Sequence, residues 1–177
     1  IKQLCTMKLL YTLPFLLTVY AATAQSLRIN PWIRLPEDSV ESGQLLTALN
    51  HFLEMAQQPN EENEYVLETE QAETYILLDE FKGIEKNSSY ADDHFYKPYL
   101  TNIVPLEKNQ YLIQLSYIGI HQDTALLRAS FEVIAHKENE NFRFASPLKR
   151  NTQNWQVSEF GKSTFYYKDT LNQNNAQ

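Results

Sequence analysis

Residues 110–136 read QYLIQLSYIGIHQDTALLRASFEVIAH and contain two apolar–polar alternations around a short polar turn. The apolar side of the first alternation consists of Tyr111, Ile113, Leu115 and Tyr117. The apolar side of the second consists of Leu127, Ala129, Phe131, Val133 and Ala135. A side-chain period of two is typical of a strand with one buried face. The stretch therefore predicts two long antiparallel strands, over residues 110–120 and 124–136, joined as a hairpin through residues 120–123.

Two helices are predicted upstream of these strands. The first has an apolar stripe at three- and four-residue steps, which consists of Leu45, Leu46, Leu49, Phe52, Leu53 and Ala56. Asp38 and Glu41 have the spacing of a capping box, in which each side chain bonds the backbone N–H of the other residue. The second helix is predicted over residues 70–82, with Gly83 in a left-handed C-terminal position. Its predicted buried side consists of Ala72, Tyr75, Ile76, Leu78 and Phe81.

The order of the elements predicts an α+β fold, with two N-terminal helices packed on a curved antiparallel sheet. Further strands are predicted over residues 142–146, 155–157 and 164–168. The predicted organisation is a leader with a signal peptide at residues 1–24 and an extended lead-in at residues 25–38. A single α+β domain follows at residues 39–170, and a frayed tail at residues 171–177.

Over residues 39–146, the order and length of these elements resemble the nuclear transport factor 2-like cone fold, and the cystatin-like helix-on-sheet fold is the runner-up. The cone fold hosts isomerases, dehydratases and binding modules, so this resemblance implies no single function. A narrower resemblance involves residues 99–104, 127–136 and 146–152. These look like an accessory region of secreted Bacteroidota proteins that precedes a metallopeptidase-like domain. The sequence has no His-Glu-x-x-His motif, so no catalytic residue is carried over.

Residues 7–24 have the layout of a secretory signal peptide. Met7 and the basic Lys8 lead into an apolar run, which ends in small residues up to Ala24 and predicts cleavage before Gln25. The run is shorter than the about 20 residues that a membrane-spanning helix needs, so we expect no membrane association after cleavage. The single cysteine, Cys5, lies before the cleavage point. We therefore expect a secreted or periplasmic protein that folds around a hydrophobic core without disulfides.

Acidic charge is concentrated in the helical half of the chain. Residues 37–93 contain 15 acidic residues and two lysines, whereas residues 94–177 contain 7 acidic and 9 basic residues. Such a distribution fits either solvated helix surfaces or an acidic face for a basic partner. Nucleic acid is not an expected partner, because binding phosphate needs a concentrated basic surface.

Two groups of residues are candidates for chemistry. Arg128, Glu132 and His136 share the polar side of the second long strand. If this side lines a pocket, Glu132 and His136 would form an acid–base pair; otherwise the three residues belong to a polar cross-strand surface. The second candidate comprises Asp92, Asp93 and His94, whose oxygens are suited to a hard cation, although the spaced ligands and glycine of a calcium loop are missing.

The sequence favours an exported, non-catalytic domain that binds a partner protein, a peptide or its own downstream domain. No motif indicates a cofactor, and the absence of a catalytic motif favours binding over catalysis. Two alternatives stay open. One is a cone-fold enzyme or small-ligand binder with a Glu132/His136 pocket. The other is the truncated front part of a secreted metallopeptidase-like protein.

Overall fold

The computed structural model describes residues 27–107 and 109–170. The predicted signal peptide at residues 7–24 and the predicted frayed tail at residues 171–177 lie outside the described residues. The described part contains a five-stranded sheet, a separate two-stranded sheet and three α-helices. The predicted α+β class, with two N-terminal helices on an open, curved sheet, is confirmed.

The large sheet contains five strands in chain order, namely β1 (Arg28–Ile29), β2 (Lys97–Pro105), β3 (Gln110–His121), β4 (Thr124–Glu138) and β5 (Asn141–Ala145). β1 is parallel to β2, and all other neighbours in this sheet are antiparallel. The helices are α1 (Ser39–Met55), α2 (Gln71–Phe81) and α3 (Leu148–Thr152). The small sheet consists of β6 (Gln156–Phe160) and β7 (Ser163–Tyr167).

The predicted hairpin of long strands is present as β3 and β4. Its turn residues Gln122 and Asp123 have φ angles of 46° and 64°. Positive φ at both central residues is what a two-residue type I′ turn requires, and the twist of this turn matches that of the flanking strands. β3 and β4 are the third and fourth of the five strands, so this hairpin forms the centre of the sheet.

α1 begins at its predicted cap but without the full capping box. Asp38 Oδ1 accepts hydrogen bonds from the backbone N–H groups of Val40 and Glu41, at 2.7 and 3.0 Å. The Glu41 carboxylate instead accepts hydrogen bonds from Tyr111 Oη at 2.6 Å and Lys137 Nζ at 2.7 Å. The reciprocal half of the predicted box is wrong, because an ammonium group is a stronger donor for a carboxylate than a backbone N–H. Glu41 thus joins α1 to both central strands.

The hydrophobic core lies between the two long helices and one face of the large sheet, here called the covered face. The predicted stripe of α1 is confirmed, since Leu45, Leu49, Phe52 and Leu53 are completely buried. Phe52 packs on Phe144 of β5, with 4.8 Å between the ring centroids. These contacts hold α1 along the β5 side of the sheet.

α2 presents a different side to the core from the predicted one. Leu78 and Phe81 are buried as expected, but Ala72 is exposed and Ile76 is 66% exposed. Thr74 is buried instead, because its Oγ1 donates to Glu70 O and accepts from the backbone N–H of Ser146. This hydrogen bond to the chain after β5 fixes the rotation of the helix. Gly83 has the predicted left-handed conformation, with a φ of 71°.

β1 and β2 are not indicated by the sequence pattern. β1 lies within the predicted extended lead-in, so the sheet begins before the predicted domain boundary at residue 39. β2 contains Pro98 and Pro105, and its register shifts between Leu100 and Asn102. Prolines and a bulge both interrupt the regular alternation by which a strand is recognised.

A β-bulge in β4 reverses the predicted alternation of that strand. Tyr117 pairs with Ala129 and Ile118 with Leu127, so that Arg128 is the extra residue. Leu126 therefore packs against the core, and Leu127 is 64% exposed. The prediction of Leu127 as a core residue is wrong, because a one-residue shift moves every side chain beyond it to the other face.

Gly119 lies just beyond this bulge and is in contact with the aromatic ring of Phe95. A Cβ atom at position 119 would collide with that ring. Gly43, in the second turn of α1, has no atom within 4 Å of the place where its Cβ would lie. Substitution of the two glycines by alanine therefore compares a position where a Cβ collides with one where it has room.

We expect Gly119→Ala to lower the free energy of unfolding by about 1–3 kcal/mol, because overpacking forces Phe95 from its position. Gly43→Ala is the control and should raise it by about 1 kcal/mol, since alanine is the better helix former. Urea unfolding followed by circular dichroism measures both changes. Equal effects of the two substitutions would contradict the close approach of Phe95.

Glu41 gives the stability a defined pH dependence. Lys137 and Tyr111, by donating hydrogen bonds, hold the pKa of Glu41 below its usual value of 4.5. Burial and the Glu41 carboxylate raise the pKa of Tyr111 to about 12. A depressed carboxylate pKa stabilises the fold above the unfolded-state value, and this contribution is lost as the pH falls through the folded-state pKa.

We expect Glu41→Gln to lower the free energy of unfolding by about 1–2 kcal/mol at pH 7. The difference from the wild type should shrink as the pH falls from 4.5, where Glu41 of the unfolded chain becomes protonated, through the lower pKa of Glu41 in the folded protein. Chemical denaturation across this pH range provides the measurement. Glu80→Gln, at an exposed position of α2, serves as the control. A difference that does not vary with pH would show that the charge of Glu41 is not responsible.

Candidate functional site

The face of the large sheet opposite the covered face, here called the open face, is the candidate functional site. Ile113 and Leu115 of β3 point into the core. Because successive side chains of a strand point to opposite faces, Gln114 and Ser116 point to the open face. The open face has a polar centre formed by Asn102, Gln114, Ser116, Ser130 and Glu132. Beyond it lies an apolar end formed by Ile118, Ile120 and Leu127.

The polar centre is a ladder of hydrogen bonds across three strands. Asn102 Nδ2 donates to Gln114 Oε1 at 3.2 Å, and Gln114 Nε2 donates to Glu132 Oε1 at 3.0 Å. The hydroxyl groups of Ser116 and Ser130 are 2.9 Å apart. Cross-strand pairs of this kind stabilise a sheet, and here they hold the Glu132 carboxylate by a neutral amide. The arrangement suits recognition by hydrogen bonds.

The structure does not bring Glu132 and His136 together. They are four residues apart on one strand, which corresponds to about 13 Å. Glu132 lines a depression with Ser116 and Ser130, whereas His136 lines another one with Gln110. Burial lowers the pKa of His136, and the carboxylates of Glu70 and Glu138 oppose this only in part.

Arg128, the third residue of the predicted group, is the bulged residue of β4 and has different surroundings again. Its guanidinium carbon lies 5.8 Å from the centroid of the Tyr96 ring, which is a cation–π contact. Tyr96 is buried and belongs to the core cluster. Arg128, Glu132 and His136 therefore occupy three separate environments.

Asp92, Asp93 and His94 lie in the loop before β2. Asp92 Oδ1 accepts a hydrogen bond from the backbone N–H of His94 at 2.8 Å, and His94 Nδ1 lies 2.9 Å from Glu85 Oε2. Among the described residues, no group of three or more acidic, histidine or cysteine side chains is arranged to hold a metal ion. The carboxylate next to His94 is thus that of Glu85, which does not belong to the predicted group of Asp92, Asp93 and His94.

Glu85 is a buried acidic residue, and the sequence pattern does not indicate its burial. Its Oε1 atom is buried without a hydrogen-bond partner in the described part of the chain, and so is the hydroxyl of Tyr117. Burial, and to a lesser extent the nearby Glu85 carboxylate, strongly raises the pKa of Tyr117. In the sequence, Glu85 stands in a polar segment and resembles the solvated carboxylates around it.

The apolar end carries the strongest signal for binding on the open face. Ile120 is 61% exposed, and Leu127 lies directly opposite Ile118 on the neighbouring strand. Contiguous apolar side chains on an uncovered surface mark interaction sites in soluble proteins. Sequence reasoning missed this feature, because the alternation alone places Leu127 in the core.

A groove with a volume of about 600 Å³ lies between α1 and β5. Its lining includes His51, Tyr65, Glu64 and Arg143, and the rings of His51 and Tyr65 stack with 5.8 Å between their centroids. None of the residues predicted from the sequence as site residues lines it. Its charges are of both signs, so it indicates no particular ligand.

Comparison with protein-family models, with curated proteins and with solved structures gave no match for this chain. Among the described residues, no helix has the length and apolar character needed to cross a membrane.

We expect Tyr117→Phe to raise the free energy of unfolding by about 1 kcal/mol, because it removes a buried hydroxyl that has no partner. Tyr111→Phe is the matched control and should lower it by a similar amount, since that hydroxyl donates to Glu41. Thermal unfolding by calorimetry compares the two variants. A loss of stability in Tyr117→Phe would show that the hydroxyl is satisfied, for example by a buried water.

Proposed function

We propose that the chain is an exported, non-catalytic binding or accessory domain that contacts a partner protein or its own downstream domain through the open face. Export is supported by the layout of residues 7–24. Binding is supported above all by the apolar end of the open face, where Ile120 and Leu127 are both more than half exposed.

The two parts of the open face complement each other as an interface. Fully burying an aliphatic side chain contributes about 1.5–3 kcal/mol, so the apolar end would supply most of the affinity. Interfaces combine such an apolar core with polar surroundings that form hydrogen bonds. The amides and hydroxyls of the polar centre, including Gln114 and Ser130, provide these groups next to the apolar end.

The distance between Glu132 and His136 supports binding rather than acid–base catalysis. A general base and its partner must reach the same substrate atom, directly or through one water. Two groups about 13 Å apart along a strand do not meet this condition. We therefore rank the cone-fold enzyme with a Glu132/His136 pocket below the binding function.

The resemblance to the accessory region of secreted Bacteroidota proteins gives one candidate for the partner. In that case the open face would contact a metallopeptidase-like domain that follows in the same polypeptide. The nuclear transport factor 2-like cone stays our proposal for the architecture, supported by the order of the helices and of the curved sheet. Sequencing the reading frame beyond Gln177 tests the accessory role.

Substitution of the apolar end tests the proposed function. Peptides are selected from a random phage-displayed library on immobilised protein comprising residues 25–177. We expect the selected peptides to lose at least about tenfold in affinity for Leu127→Lys, because one buried apolar contact is replaced by a charge. Ile76→Lys is the matched control, since Ile76 is equally exposed but lies on α2.

Fluorescence polarisation of the labelled peptides measures the dissociation constants. Unchanged affinity for Ile76→Lys excludes a general effect of the added charge. The proposal fails if the selected peptides bind Leu127→Lys as tightly as the wild type.

A further inference from the structure

The hairpin of β6 and β7 forms a two-stranded sheet of its own. Phe160 and Ser163 pair at its turn, where Gly161 has a φ of 62°. One face is half-buried, with the rings of Phe160 and Phe165 5.8 Å apart. Two-stranded sheets are only marginally stable in water, and a third strand stabilises them considerably.

β7 has an open outer edge. In an antiparallel pair, hydrogen-bonded and non-hydrogen-bonded residue pairs alternate, and the pair that closes a two-residue turn is hydrogen-bonded. The backbone N–H and C=O groups of Thr164 and Tyr166 are therefore directed away from β6. Both residues are exposed, and β7 pairs only with β6 among the described strands. The edge is accessible to another strand.

The charges around the hairpin distinguish its two edges. β7 itself is uncharged, and exposed lysines, Lys162 and Lys168, stand immediately before and after it. Neither ammonium group forms an ion pair with the described residues. The other edge strand, β6, carries the exposed Glu159, and Asp169 lies beyond Lys168. An acidic chain is therefore attracted to the ends of β7 and repelled by Glu159 near the turn end of β6.

We propose that the outer edge of β7 accepts an extended peptide as a third strand, and that this peptide has an uncharged centre flanked by acidic residues. Strand addition derives its affinity from backbone hydrogen bonds, and its specificity from the side chains at matching positions. Here the specificity comes from Lys162 and Lys168, which lie at the two ends of the five-residue strand.

A second copy of the same chain is a poorer occupant of this edge. Two-fold antiparallel pairing of β7 with itself, centred on Phe165, sets Lys162 of one copy opposite Lys168 of the other. Like charges directly opposite each other destabilise a sheet. Lysines at the ends of an edge strand, as here, oppose such self-pairing.

This proposal concerns a surface other than the open face and does not depend on it. The test uses two synthetic peptides, Glu-Thr-Val-Thr-Val-Thr-Glu and Lys-Thr-Val-Thr-Val-Thr-Lys, both with blocked termini. They are titrated into ¹⁵N-labelled protein comprising residues 25–177 at low ionic strength, and binding is followed by NMR. The same titrations are made with the double variant Lys162→Glu/Lys168→Glu and with Leu127→Lys.

We expect the glutamate peptide to bind the wild type about tenfold more tightly than the lysine peptide, since each exposed ion pair contributes only modestly. The amides of Thr164 and Tyr166 should shift and become protected from exchange. The preference should reverse in the double variant, persist in Leu127→Lys, and shrink in high salt.

Three results would overturn the proposal: no binding of either peptide, equal affinity of the two peptides, or amide shifts confined to the open face. Spectra of the double variant that match the wild type outside residues 156–168 establish that the fold is intact. Because Leu127→Lys affects only the open face, failure of strand addition and failure of the proposed function are distinguished.

Discussion

The β-bulge at Arg128 is the constraint on which both faces of the large sheet depend. From Ala129 onward, β4 alternates in step with β3, and before Arg128 it is shifted by one residue. The shift turns Leu126 toward the helices and Leu127 away from them. The same extra residue therefore completes the core at one end of the sheet and creates the apolar end of the open face. A bulge also bends and twists its strand, which contributes to the curvature of the sheet.

The polar and apolar parts of the open face would contribute to binding in different ways. The side chains of the polar centre are hydrogen-bonded to one another, from Asn102 through Gln114 to Glu132. A partner that covers the apolar end has no need to break this ladder. Such a partner buries apolar surface and leaves no polar group unpaired. Unpaired polar groups are the usual penalty when a sheet face is buried.

The strongest sequence signals predicted the centre of the fold correctly. The stripe of α1 and the alternation of β3 are long and regular, and no bulge in either element breaks the pattern. The bulge escaped prediction because Leu126 and Leu127 are both apolar, so either register satisfies the pattern. The rotation of α2 was also not predictable, since it depends on a hydrogen bond between Thr74 and the backbone of Ser146, 72 residues along the chain.

The candidate site was less predictable than the fold, because it depends on which side chains meet in space. Glu132 and His136 were correctly placed on one side of a strand, but spacing along a strand does not bring them to one depression. Glu85 lies in a polar segment of sequence, and its burial follows from the path of the loop after α2. Sequence patterns report the average environment of a segment, and single buried charges are exceptions to that average.

The parallel pairing of β1 with β2 has a consequence for the order of folding. Arg28 pairs with Tyr99, so this contact closes a loop of roughly 70 residues that includes both long helices. The contacts of β3 with β4 and of β4 with β5 are local hairpins, which form with little loop entropy. We therefore expect β1 to pair later than these hairpins, and until then the edge of β2 is unprotected. Because β1 pairs, among the described residues, only with Tyr99 and Leu100, its two residues add a short parallel edge to a sheet that is otherwise built from antiparallel hairpins.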